Sequence, residues 1–178
     1  MYQEIIEFWF NEIDSSKWFV KDTRFDEEIR SRFFDVHNQA INGELWTWRS
    51  SPLGSLAEII ILDQFSRNMY RDKAESFLYD PLALALSQSA ISSGIDCHLN
   101  ALQRGFLYMP FMHSESLKIH EEALSLFTKL GIKASLDFEL KHKKIIERFG
   151  RYPHRNEIIG RHSTPEEQVF LLQPESGF

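Results

Sequence analysis

The chain has 178 residues, 43% of them hydrophobic and 26% charged, with a formal net charge of −6. That length suits one domain burying roughly 70% of its unfolded surface. The acidic balance weighs against a general nucleic-acid binder while leaving room for a local basic patch.

With Phe at 15 and Trp at 4, the composition predicts an aromatic-heavy core. A single cysteine, Cys97, excludes an internal disulfide framework and fits a reducing compartment. The opening "MYQEIIEFWFNEIDSS" carries Glu4, Glu7 and Glu12 and no early basic residue, unlike a secretory signal or a mitochondrial presequence. The longest apolar run, around "EIIILDQF", is far too short to cross a bilayer. The expectation is a soluble cytoplasmic protein with no membrane and no nucleic-acid partner.

Helical punctuation recurs along the chain. Phe25, Ile29, Phe33, Val36 and Ala40 fall on one stripe, closed by Gly43. Ser51 before Pro52 predicts a helix running to Asn68. On it Leu56, Ile60, Asp63 and Arg67 share a face, while Ile59, Ile61, Leu62 and Phe65 make the other faces apolar, so this helix is predicted to be central. Asp63 and Arg67 are four apart in the favourable acid-first order. Either they satisfy each other as an internal ion pair, or they line a cavity. "DPLALALSQSAISSG" predicts the next helix, with Asp80 as cap, Pro81 in the first turn and Gly94 at the end.

"YMPFMHSES" predicts a helix broken at Pro110 and another starting at a capping Ser114, with His113 at its start and Glu115 in its first turn. Amides there can bind an anion, although Glu115 competes for the place. That helix runs to Gly131. The following one, from Ser135 to Gly150, sets Phe138, His142, Ile145 and Phe149 on its apolar stripe and Lys141, Lys143 and Lys144 on a solvated face. His142 is then either a satisfied core residue or a proton carrier or ligand. "ERFGRYPHRNEIIGR" gathers Arg148, Arg151, Arg155 and Arg161 with His154 around a bend at Gly150 and Pro153, followed by a short helical turn. Planar guanidinium forks suit carboxylates and phosphates, so this stretch either cradles an anionic ligand or pins the C-terminal segment through carboxylates. "STPEEQVFLLQ" ends the pattern, with Ser163 or Thr164 as cap, Pro165 in the first turn and two glutamates placed well against the helix dipole.

No strand or hairpin signal interrupts this series, and short connections favour antiparallel helical hairpins in a single all-α domain, 1–178. Neither the tetratricopeptide nor the ankyrin sequence repeat is present. There is no Walker A pattern, dinucleotide glycine fingerprint, nucleophile elbow or HExxH, and hence no pointer to a cofactor. His113, Glu115, His142 and His154 lack any local metal-ligand spacing, so no metal is predicted.

"IEFWF", "LAEIIILDQFSRNMYRD", "FLYMPFMHSESL" and "RFGRYPHRNEIIGRHSTPEEQVFL" together resemble the bacterial family known as domain of unknown function 924, from near the N-terminus to the last helix. The chain departs from that pattern only slightly, with Ile159 where leucine is usual. The resemblance implies a tetratricopeptide-like α-α superhelix or bundle. It implies no activity. It flags Asp63, Gln64, Arg67, Asn68, His113, Ser114, Glu115, Arg148, Arg151, His154, Arg155, Asn156 and Arg161 without assigning them roles.

Three functions are compatible with these residues. The first is a binding module that holds an anionic small molecule or acidic peptide through the Arg/His-rich motifs. The second is a structural or interaction domain in which the same groups are struts. The third is an enzyme in which His113 or His142 moves a proton, Glu115 or Asp63 orients it and arginines stabilise negative charge.

Overall fold

The computed structural model describes residues 1–174, 176 and 177, and among them every regular element is helical. Chain contacts divide it into two compact units, the first made of Met1–Arg71 and Glu75–Pro110, the second of Asp72–Ala74 and the chain from Phe111 onward.

In the first unit, α1 (Tyr2–Glu7) continues into a π-helical turn at Phe8–Glu12. Helix α2 (Thr23–Ile41) starts where the Asp22 carboxylate accepts the amides of Arg24 and Phe25. Its buried stripe is Phe25, Ile29, Phe33, His37 and Ala40, so His37 takes the place predicted for Val36. Helix α3 (Pro52–Ile60) passes through a π-helical stretch, Ile61–Phe65, into α4 (Ser66–Met69). Every residue from Gly54 to Ser66 is buried, as expected of a central helix with no polar face. The core around it is aromatic: the ring of Phe33 lies 4.9 Å from Phe8 and 5.0 Å from Phe65, and Trp9 lies 5.6 Å from Phe65.

Two predicted boundaries are corrected here. Helix α5 (Asp80–Ser92) has Tyr79 as its N-cap, because the Asp80 carboxylate is taken by Arg67. Helix α6 (Ala101–Met112) runs through Pro110 instead of breaking there. Only two residues follow the proline, so what is forfeited is one main-chain hydrogen bond in the last turn.

In the second unit, α7 (Leu117–Leu130) and α8 (Lys133–Phe149) form a hairpin across Gly131 and Ile132. Helix α7 starts three residues after the predicted cap, and Ser114 Oγ instead accepts the Ser116 amide in the preceding turn. Glu115 therefore lies outside the helix, where its side chain can reach elsewhere. Helix α8 buries Glu139, His142, Ile145 and Ile146, and Phe138 is 49% exposed. The true stripe is the predicted one rotated by a residue, which puts a carboxylate inside. Helix α9 (Pro165–Leu171) takes Thr164, one of the two caps expected, and Thr164 and Glu167 complete a capping box by each bonding the other's amide. Ile145, Ile146 and Tyr152 form an apolar cluster in this unit, with Phe149 and Phe170 against it.

Candidate functional site

Helix α8 stops at Gly150, whose φ of +68° is a left-handed conformation suited to glycine. The chain then bends through Arg151 and Tyr152 into a 3-10 turn at Pro153–Arg155. Each arginine of the stretch meets a different environment. Arg161 donates Nη1 to Glu115 Oε2 at 2.6 Å and Nη2 to Glu115 Oε1 at 2.8 Å. Its Nε reaches Asn156 Oδ1 at 2.9 Å, and Glu115 also accepts the Tyr152 amide at 2.7 Å. Burial pushes the Glu115 carboxyl up, but Arg161 and the Tyr152 amide outweigh it and hold the group below its ordinary value.

Arg151 makes a second fork, Nε to Glu167 Oε1 at 2.6 Å and Nη2 to Oε2 at 2.8 Å. With the Thr164 amide and Asn156 Nδ2 added, the Glu167 carboxyl is drawn down to about 2, chiefly by Arg151. Arg148 is on the surface, 2.9 Å from Glu166 and over the Phe149 ring. Arg155, only 7% exposed, lays its guanidinium 4.7 Å over the Tyr152 ring and donates to the His113 carbonyl at 3.0 Å.

Tyr152 is fully buried and is the hub of a group of histidines. Its ring centroid is 5.6 Å from His154, 5.7 Å from His142 and 6.3 Å from His120, and His113 lies 6.4 Å from His142. The Tyr152 hydroxyl donates to the Met112 carbonyl at 2.6 Å and stands 3.1 Å from His120 Nε2. His142 donates Nδ1–H to the Phe138 carbonyl at 2.8 Å, and burial pushes its pKa down to about 3, so the ring is neutral. His120 Nδ1 lies 2.8 Å from Glu139 Oε1 with both side chains fully buried. This is the histidine–carboxylate contact that acid–base catalysis requires, but it is sealed from substrate.

The polar residues of the central helix belong to the first unit. Arg67 forks onto Asp80 at 2.8 and 2.9 Å, and its Nη1 also reaches the Asp63 carbonyl at 2.8 Å and the Asp63 carboxylate at 3.3 Å. The Asp63–Arg67 contact is thus part of a three-residue ionic network on a π-helical stretch, a feature frequent at functional sites. Gln64 donates to Asp63 at 2.5 Å. Asn68 and Arg71 both bond Asp26. His37 Nε2 lies 2.8 Å from Ser66 Oγ, and burial pushes that imidazole down to about 4.

Of the residues flagged from sequence, His113, Ser114, Glu115, His142, Arg151, His154, Arg155, Asn156 and Arg161 come together around Tyr152 and its turn. Arg148 stands outside that group; Asp63, Gln64 and Arg67 belong to the separate network above, and Asn68 bonds Asp26. From the sequence alone His120, Glu139 and Tyr152 are not singled out, and Glu167 is placed only as a first-turn charge against the helix dipole. His120 was within reach, because it shares the α7 stripe with Ala123, Phe127 and Leu130, the kind of placement that singled out His142. Among the described residues no three His, Cys, Asp or Glu side chains gather as a metal-binding group, and no helix is long and apolar enough to cross a membrane.

The model of a family of bacterial proteins of unknown function, domain of unknown function 924, matches residues 5–175. The chain belongs to this family. A solved structure of a protein of unknown function from Agrobacterium tumefaciens is similar to it, with 38% sequence identity, 97% of each chain covered and a TM-score of 0.92. No curated protein matches the chain. Two stretches from the motifs that carry the family resemblance, "FMHSE" and "RFGRYPHRNEIIGR", thus meet in one unit through Glu115, Tyr152, Arg155 and Arg161.

Proposed function

We propose that this protein is a binding module for an anionic small molecule or the acidic end of a peptide, with Arg155, His113 and His154 beside Tyr152 as its recognition groups. The observation that carries this reading is the company around Tyr152: one guanidinium and three imidazoles, His113, His142 and His154, where packing alone calls for apolar rings. Ring N–H donors beside a guanidinium at low exposure are chemistry for an anion. Arg151, Arg161, Glu115, Asn156 and Glu167 then form the frame that holds the turn. The tetratricopeptide-like stacking implied by the resemblance would add a concave face, by fold analogy only.

The test is a thermal-shift series with phosphate, nucleotides, di- and tricarboxylates and a peptide with an acidic C-terminus. A ligand at 100 times its Kd adds about 2.7 kcal/mol. Arg155→Ala is expected to abolish the shift while the far-UV spectrum stays helical. If no anion moves the wild-type melting temperature, the reading fails. The two carboxylate forks favour a second reading, an interaction domain whose whole signature is internal frame. Under it Arg155→Ala lowers the unliganded melting temperature and no anion has an effect.

A further inference from the structure

We propose that His120 and Glu139 share a single proton and act as a latch that holds the signature turn against the α7–α8 hairpin. His120 Nε2 lies 2.9 Å from the Ser114 carbonyl, which can only accept, so Nε2 carries a hydrogen. Nδ1 and Glu139 Oε1 are 2.8 Å apart, and a contact that short needs one proton between them. Carboxylic acid with neutral imidazole, or carboxylate with imidazolium, both supply it, and both leave the pair neutral overall. Without it, two lone pairs face each other in a dry interior and the contact must open.

Glu139 Oε2 has no hydrogen-bond partner, so nothing at that oxygen steadies the carboxylate. The latch ties α7 to α8, and His120 Nε2 also meets the hydroxyl of Tyr152, the residue that begins the turn bearing His154 and Arg155. The charged and titratable groups around the pair are accounted for. Lys143 on α8 pairs with Glu147, Glu115 takes Arg161, Arg155 lies over Tyr152, and His142 is neutral, with His113 and His154 beyond it. Burial raises the Glu139 carboxyl against the pull of His120. The folded chain therefore keeps this proton to higher pH than the unfolded chain does. The latch is lost as pH rises through the raised value.

Two measurements test this. Long-range proton–nitrogen NMR of wild type at neutral pH is expected to show His120 with one hydrogen on Nε2 and a second, shared hydrogen between Nδ1 and Glu139 Oε1. Hydrogen exchange of the Tyr152 and Arg155 amides, corrected for intrinsic base catalysis, is expected to accelerate roughly tenfold in wild type once pH has risen past the point where the pair loses its proton. It should not do so in Glu139→Gln, whose amide supplies a permanent hydrogen to Nδ1. A His120 with no hydrogen on Nε2, or with none shared between Nδ1 and Glu139, overturns the latch, as does an identical pH dependence of exchange in the two proteins. The first measurement needs no variant and decides the matter even if Glu139→Gln fails to fold.

Discussion

Arg148 and Arg161 come from the same short stretch, yet their side chains meet different dielectric environments. Arg148 and Glu166 are 46% and 64% exposed, where water and salt screen most of the attraction. Arg161 and Glu115 are 25% and 27% exposed, and Arg161 also bonds Asn156 and the Tyr152 carbonyl. Removing Arg161 strands three acceptors at once. Arg161→Ala is expected to cost about 2 kcal/mol, after allowing for the partial exposure of the pair. Arg148→Ala should stay within about 0.5 kcal/mol of wild type. Urea-unfolding midpoints at neutral pH compare the two, and equal losses would contradict this account. Arg161→Lys should rescue little, since an ammonium cannot reproduce the fork.

At the scale of elements, α3 shows how helix propensity can be overruled. Gly54 sits inside α3, where Gly→Ala ordinarily gains about 1 kcal/mol. Here a methyl group at Gly54 would stand 2.2 Å from the Trp48 carbonyl oxygen and 2.9 Å from its carbon. The glycine lets α3 pass close to the 3-10 segment Trp46–Ser50. Gly54→Ala is therefore expected to destabilise by about 2 kcal/mol, the opposite sign from propensity. Gly150→Ala, in open space but at positive φ, should cost about 1 kcal/mol through the backbone alone. Thermal or urea melts read both, and a stabilised Gly54→Ala would show that the close approach relaxes freely. The element boundaries that were legible in sequence are those set by short-range chemistry, such as the cap before Pro165 and the glycines ending α7 and α8. Pro110 and Asp80 misled because their outcomes depend on what surrounds them: the end of a helix for one, the Arg67 fork for the other.

Across the whole molecule, two buried neutral histidines set the response to acid. His142 and His37 are held down to about 3 and about 4 by burial. Their unfolded counterparts take a proton near pH 6.5, so their contribution is full above that value and falls away as pH drops towards the lowered ones. At pH 4 the loss is about 3 kcal/mol for each. Glu167, held at about 2 by Arg151, adds to it below the ordinary carboxylate value, while Glu139, whose carboxyl is raised, opposes it. The expected outcome is a marked loss of urea resistance between pH 7 and pH 4, smaller in His142→Gln if that variant folds. A flat profile would mean that these imidazoles are solvated.

The sequence by itself determined the helical class, the family, the central helix and most helix ends, because periodicity, caps and turn glycines act over a few residues. It also located the polar motifs, since charges on an apolar stripe stand out without a structure. Only the tertiary structure decided which carboxylate each arginine takes and which histidine stands beside an acid. Glu115 and Arg161 are 46 residues apart and His120 and Glu139 are 19 apart. Pairing of α7 with α8 brings His120 to Glu139, and the fold of the turn back onto the segment before α7 brings Arg161 to Glu115; no local spacing encodes either choice.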